Sequence, residues 1–487
     1  MAFMICRNCG SLETPEDVNS VSEPQQQLAD LDSEITRLQA QIKKLENKRV
    51  SLKREINARS PILQFPPEIS SEIFAIYLEK QGAQIATTDD HRVSIAATPL
   101  LFGQICNTWR QIAWSTPKLW TSLLLDLDRS IEPMLVHQWL VCSGNHLISI
   151  YATLRKPDAQ PTSKLAILEV MGLIGQHSER WQNITFHLPS FCYRALEGIK
   201  DRLPNLNYIS INSTVEGRKL FSVAPLLRTV HVEPFYDLDQ FVLPLSQLTE
   251  LSIHAHDAVE SLDMLRRSPN VVTCSIQGYF EGSSYLHDTL ADKLESLHLG
   301  FEDEFADPIS AVFDSLTLPT IRDFSCAAVE HPFPCSSFVS LVSRSSCSLR
   351  TLSLTTLYVF SREFAECLEA LPLLNKLTLT KVHITNSLLQ MLKPCYSSCL
   401  LPNLDTLECL GVVELDFSAL ASFLQSRWDI RQISKTLDPP YRIARLQSVK
   451  FDVRNVSVPQ PSILVLLQNL LEEGMKISVV TLSGNWL

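Results

Sequence analysis

A chain of 487 residues with 45% hydrophobic residues can bury a large core, and its 14 glycines form no G-x-G-x-x-G or G-x-x-x-x-G-K-S/T string, so nucleotide chemistry has no phosphate loop to stand on. The net charge of −11 argues against nonspecific nucleic-acid binding by the whole molecule, and no apolar run of about 18 residues offers a membrane span. Thirteen widely spaced cysteines do not make a secreted disulfide framework, and too few apolar residues precede Arg7 for a signal peptide; a reducing compartment, cytoplasm or nucleus, is expected, with the sequons at Asn183, Asn212 and Asn455 unglycosylated.

Residues 1–24 read as a disordered tail. Within it, Cys6-Arg7-Asn8-Cys9 has the spacing of half a tetrahedral zinc site, but no second C-x-x-C exists in the chain. The pair therefore reads as two free thiols, the alternative being a four-thiolate site completed by a second chain; no metal and no cofactor is assigned. Over residues 25–59, Leu28, Leu31, Ile35, Leu38, Ile42, Leu45, Leu52 and Ile56 recur at steps of three and four, or seven where Arg49 interrupts. This is a coiled-coil heptad with isoleucine prevailing at a and leucine at d, the combination that favours parallel pairs. A homodimer is the natural reading, with Leu31, Ile35, Leu38, Ile42, Leu45 and Leu52 as its seam. Against it, Arg49 occupies an a position, and a parallel pair sets Lys48 against Lys53 of the partner. A hetero-coil, or a single helix packed on its own domain, stays open. Residues 34–59 carry eight Lys/Arg against three Glu, which leaves about −16 for the remainder.

Ser60-Pro61 ends that helix. Pro67 suits a first helical position, Glu68 complements the positive helix end, and Ile69, Ile73 and Ile76 with Tyr77 form an apolar stripe. A polar loop is expected from Lys80 to Ser94, then a second helix from Pro99 to Ala113 burying Leu100, Leu101, Ile105, Trp109 and Ile112. The strings Phe65-Pro66-Pro67-Glu68-Ile69, Cys106-Asn107-Thr108-Trp109-Arg110 and Thr116-Pro117-Lys118-Leu119-Trp120 resemble the F-box, with Phe65 where the family has leucine. In domain order the chain is most similar to the F-box proteins of mushroom-forming fungi, where a coiled coil precedes the box and irregular repeats follow.

From Trp120 onward an apolar triplet, leucine-x-x-leucine-x-leucine or a variant, returns. Its clear copies begin at Leu206, Leu227, Leu248, Val271, Leu294, Ile321, Leu349, Leu374, Leu404 and Leu446, spaced 21 to 42 residues apart; weaker ones begin at Trp120 and Trp181. Periods of this length indicate a solenoid, and the pattern resembles irregular leucine-rich repeats, since the Asn or Cys expected three residues after the last leucine is missing. The fold class is therefore α/β: an irregular leucine-rich-repeat solenoid over 119–487, preceded by a small all-α F-box-like domain over 60–118 and an N-terminal coiled-coil helix.

In each triplet the last two apolar residues share one face of a strand, so the residue between them faces out. Of the outward positions, Tyr208, Glu250, Asp323, Lys376, Glu408 and Lys450 are the larger or charged ones and the candidates for substrate binding. Glu233 and His254 are expected opposite each other on successive strands. No G-x-S-x-G or H-E-x-x-H string suggests an enzyme. The resemblance implies a substrate receptor of an SCF-type cullin–RING ubiquitin ligase, with Pro66, Ile69, Ile73, Phe74, Ile105, Trp109 and Ile112 meeting the Skp adaptor and the repeats holding a protein substrate. The alternative is a ligase-independent repeat scaffold dimerised by its coil.

Overall fold

The computed structural model describes the chain except for residues 1–3, 6–11, 14–17, 88–97, 130–131, 156–160, 213–218, 236–241, 256, 279–285, 303–307, 330, 383–385, 395–398, 415–416, 430–442, 456–459, 482–483 and 486–487. Cys6 and Cys9 lie outside the described residues. The chain divides into two compact units, one made of residues 1–87 and 95–115, the other running from 116 to 487.

The first unit does not begin as a featureless tail. Strands β1 (Met4–Ile5) and β2 (Leu12–Glu13) pair antiparallel, and helix α1 runs Val18–Ala58 straight over Pro24. The coiled coil is expected from residue 25, and the helix starts seven residues earlier, since Pro24 removes only one ladder bond. Every residue from Pro24 to Asn57 is exposed, including the whole leucine and isoleucine seam, so α1 does not pack back on its own unit. Helix α2 (Pro67–Thr87) extends seven residues beyond the expected start of the polar loop, because Gln81, Ala83, Gln84 and Ala86 are good helix formers. The second expected helix is two: α3 (Leu100–Ile105) and α4 (Asn107–Ser115), split at Cys106, whose backbone is extended. Cys106 Sγ accepts from the Trp109 backbone N–H at 3.4 Å and stands in for a capping hydroxyl.

Among its described residues the second unit carries one open sheet of 15 strands whose order follows the sequence without a crossover between distant repeats. Its parallel strands are β3 (Ser122–Asp126), β4 (Ile148–Thr153), β5 (Trp181–His187), β6 (Tyr208–Asn212), β7 (Thr229–Phe235), β8 (Glu250–Ala255) and β9 (Thr273–Gly278). After the short β10 (Thr289–Leu290) come β11 (Ser296–Phe301), the short β12 (Leu316–Thr317), β13 (Asp323–Ala328), β14 (Thr351–Thr355), β15 (Lys376–Thr380), β16 (Thr406–Glu414), β17 (Ser448–Asn455) and β18 (Lys476–Thr481). Strand β19 (Gly484–Asn485) closes the edge antiparallel. β10 and β12 pair separately from this sheet.

Two of these strands, β4 and β18, escaped the triplet pattern because Ala152 and Gly474 stand where a large apolar residue was sought. The inward pairs are buried throughout: Ile209 with Ile211, Leu251 with Ile253, Leu352 with Leu354, Leu377 with Leu379. Cys274, Cys326 and Cys409 occupy such positions as small core residues, and burial pushes their thiols upward, Cys274 to about 12.

Helices cover the return path of many repeats. Asp257 caps one, Ala258–Arg266, accepting from Val259 N at 2.8 Å, and Cys335–Ser345 buries Phe338, Leu341 and Ser345 along one stripe. Phe313, Phe324, Phe333 and Phe338 form a continuous aromatic cluster there, its rings tilted or edge-on with neighbouring centroids 5.1 to 5.9 Å apart.

The absent Asn ladder after each strand has a replacement before it. Asn205 donates to Glu179 O (2.7 Å), Gln247 to Leu227 O (2.9 Å), Asn270 to Ser246 O (2.6 Å), Thr320 to Leu294 O (3.0 Å) and Asn403 to Pro372 O (2.8 Å). Each stands one residue ahead of its triplet and reaches back one repeat, so carbonyls at the turns are satisfied. Arg427 does the same from within the core: wholly buried, its guanidinium donates to Leu392 O (2.9 Å), Leu401 O (3.1 Å) and Leu400 O (2.5 Å).

Candidate interaction surfaces

In the helical unit, α2 is apolar on two sides. One side is core: Phe74, 2% exposed, stacks on Phe102 with centroids 3.9 Å apart and meets Trp109 at 4.9 Å, while Tyr77 and Trp109 approach Phe102 edge-on. Ile112 and Ala113 of α4 are buried too. A side chain at Gly103 would come within 2.7 Å of the Trp114 ring, so close packing of α3 on α4 requires glycine there. Arg110 ties the same turn down by donating to Gly103 O from Nε at 2.8 Å.

Among the described residues of this unit, the other side of α2 is exposed. Ile69 (51% exposed), Ile73 (46%) and Ile76 point outward at successive turns; Ile62 and Phe65 are exposed before the helix, and Ile105 (53%) at the end of α3. Pro66 is exposed and Trp109 half-buried. The expected adaptor set thus separates. Pro66, Ile69, Ile73 and Ile105 lie open, whereas Phe74 and Ile112 are corrected to core residues that hold the unit together, with Trp109 packed against Phe74. Ile105, expected in the core, is open because the chain breaks directly after it.

On the sheet, strand register aligns the outward residues into rows. One row runs Tyr208, Thr229, Glu250, Thr273, Ser296, Asp323, Thr351, Lys376, Thr406; its neighbour runs Ser210, His231, Ser252, Ser275, His298, Ser325, Ser353, Thr378, Glu408, Lys450. Two clusters form between them. His231 Nδ1 lies 3.4 Å from the Tyr208 hydroxyl and its Nε2 3.9 Å from Glu250, whose carboxylate accepts from Thr229 at 3.3 Å. Farther along, Glu408 accepts from Lys376 Nζ (2.9 Å) and Thr378 Oγ1 (3.2 Å), with Lys450 next in register. Asp323 is exposed at the start of β13.

Glu233 and His254 are not paired in register as expected. The ladder shifts between Val232 and Phe235, where Pro234 cannot donate, and His254 Nε2 instead lies 3.5 Å from Glu302. His298, whose Nδ1 is 3.0 Å from Ser325 Oγ, is held below the usual histidine range by burial.

Sequence reasoning missed one further feature. Tyr358 and Phe360 are exposed just past β14, beside exposed Val329 past β13. Their loop is pinned by Phe333 N–H donating to Tyr358 O and Tyr358 N–H to His331 O, both at 2.8 Å. Large apolar side chains on a fixed backbone suit protein contact, since little ordering entropy remains to be lost. The signal in the sequence was Leu357-Tyr358-Val359-Phe360, apolar beyond the length the strand needs.

Among the described residues, no group of three or more His, Cys, Asp or Glu side chains is placed to hold a metal ion, and no helix is long and apolar enough to cross a membrane. No protein-family model matches the chain, and no curated protein matches it. Among solved structures it is similar to the internalin InlF of Listeria monocytogenes, at 14% identity over 52% of this chain and 70% of that one, with a TM-score of 0.26. It is also similar to TLR13 in complex with ssRNA13, at 13% identity over 64% of this chain and 53% of that one, with a TM-score of 0.24. Likeness at this level carries no weight for function, and the leucine-rich-repeat solenoid rests on the strands of this chain itself.

Proposed function

We propose that the chain is a non-catalytic receptor, the substrate-binding subunit of an SCF-type cullin–RING ubiquitin ligase. The small helical unit docks on a Skp-type adaptor and the outward rows of the sheet hold a protein substrate. The observation that carries this reading is the second apolar side of α2. A helix whose core side is already buried gains nothing from Ile69, Ile73 and Ile76 on its other side unless a partner covers them. Substrate contact falls to Tyr208, Glu250, Asp323, Lys376, Glu408 and Lys450, joined by Tyr358 and Phe360 at the rim. The receptor's contribution to transfer is proximity: it holds a substrate lysine near a charged thioester carried by another subunit. Affinity purification of the tagged chain, with co-purifying peptides identified by mass spectrometry, tests the reading. Skp and cullin peptides are expected; their absence leaves the ligase-independent scaffold.

A further inference from the structure

The exposed seam of α1 carries an orientation in its charges. From Leu28 to Ile56 the a positions are Leu28, Ile35, Ile42, Arg49 and Ile56, and the d positions are Leu31, Leu38, Leu45 and Leu52. All are exposed, on a helix of 41 residues that is roughly 60 Å long. The first half of the seam is acidic, with Asp30, Asp32 and Glu34 against Arg37. The second half is basic, with Lys43, Lys44, Lys48, Arg49, Lys53, Arg54 and Arg59 against Glu46 and Glu55.

We propose that α1 binds α1 of a second copy of this chain in antiparallel orientation. In a parallel pair the basic halves lie side by side, Arg49 faces Arg49 in one layer, and Lys48 faces Lys53 on both flanks, with no opposite-charge pair between g and e positions. Turning one helix around removes each of these conflicts. In the register that overlaps the seams from Leu31 to Ile56, Ile35 meets Leu52 of the second copy, Ile42 meets Leu45, and Ile56 meets Leu31. Arg49 then lies across Leu38, its stem covering apolar surface while its head reaches water.

The e flanks now join Asp32 to Lys53 of the second copy, twice by symmetry. The g flanks bring Glu34 near Glu55, but each of these is already paired on its own helix, Glu34 with Arg37 at 2.6 Å and Glu55 with Arg59 at 3.3 Å. This inference does not depend on the ligase reading, since α1 needs no adaptor to pair.

The two orientations respond to Lys53→Glu with opposite signs. Antiparallel pairing turns two Asp32–Lys53 attractions into repulsions and weakens the dimer roughly tenfold. Parallel pairing turns two Lys48–Lys53 repulsions into attractions and tightens it. Sedimentation equilibrium on the full chain, with helix content checked by circular dichroism, reads this directly. Weakening by Lys53→Glu, with recovery in Asp32→Lys/Lys53→Glu, is the expected result. Tightening, no change, weakening without recovery, or a wild-type chain that stays monomeric at high micromolar concentration overturns the proposal.

Discussion

Replacing Ile69 by lysine probes the open side of α2 without touching its core side. The Ile69 side chain is half exposed in the free chain, so an adaptor that covers it removes about half its apolar surface from water, worth roughly 1 to 1.5 kcal/mol. Lysine forfeits that gain and adds the cost of leaving an unpaired ammonium in a dry interface, several kcal/mol. Together these predict a loss of adaptor affinity on the order of 100-fold or more. Stability should move by less than about 0.5 kcal/mol, because an exposed helical position carries no cavity or buried polar group. Phe74→Ala is the counterpart: it empties the stack on Phe102 and Trp109 and should cost the helical unit about 3 to 5 kcal/mol. Titration calorimetry with purified adaptor and thermal melts of the same preparations give both numbers. An Ile69→Lys protein that binds adaptor like wild type, or that melts like Phe74→Ala, refutes the assignment of the two sides.

Removing the buried guanidinium by Arg427→Met strips three backbone carbonyls of their donors and should cost about 3 kcal/mol or more in urea unfolding; a loss below about 1 kcal/mol would show that other donors move in. Alkylation of the native protein at pH 8 should leave Cys274, Cys326 and Cys409 unmodified, since burial keeps their thiols protonated, and mass mapping of labelled peptides checks it. His298 and His177 are both held below the ordinary histidine pKa of 6.5, chiefly by burial, so the folded state binds fewer protons there than the unfolded. Stability is then full above about pH 6.5 and falls as pH drops toward the folded pKa; His298→Gln should flatten part of that slope, and a slope of the opposite sign contradicts the burial argument.

The solenoid was legible because a parallel strand packed between neighbours demands two large apolar residues two apart, and most repeats supply both. Where Ala152 or a leading Gly474 thins the signal, the strand still forms, because adjacent strands present their donors and acceptors whatever the side chain. The polar residues at Asn205, Gln247, Asn270, Thr320 and Asn403 went unread for another reason: the ladder was sought after the strand, and its backbone partners lie a full repeat away in sequence. The helical unit was harder. Phe74 and Ile112 were assigned to a partner surface together with Ile69 and Ile73, and apolar spacing alone cannot say which side of a doubly apolar helix is already taken. The break at Cys106 separated Ile105 from the core for the same lack of local signal.

The alternation along each strand divides the sheet's sequence into two scripts. Inward letters such as Leu352 and Leu354 spell the stack, and any change in them is felt by the strands on either side. Outward letters such as Ser353, Thr378 and Glu408 lie outside that stack and meet other outward residues, as Glu408 meets Lys376 and Thr378, so they can be rewritten at little cost to the fold. A duplicated copy of such a chain could take a new client by altering the outward row alone, keeping its scaffold and its helical unit intact.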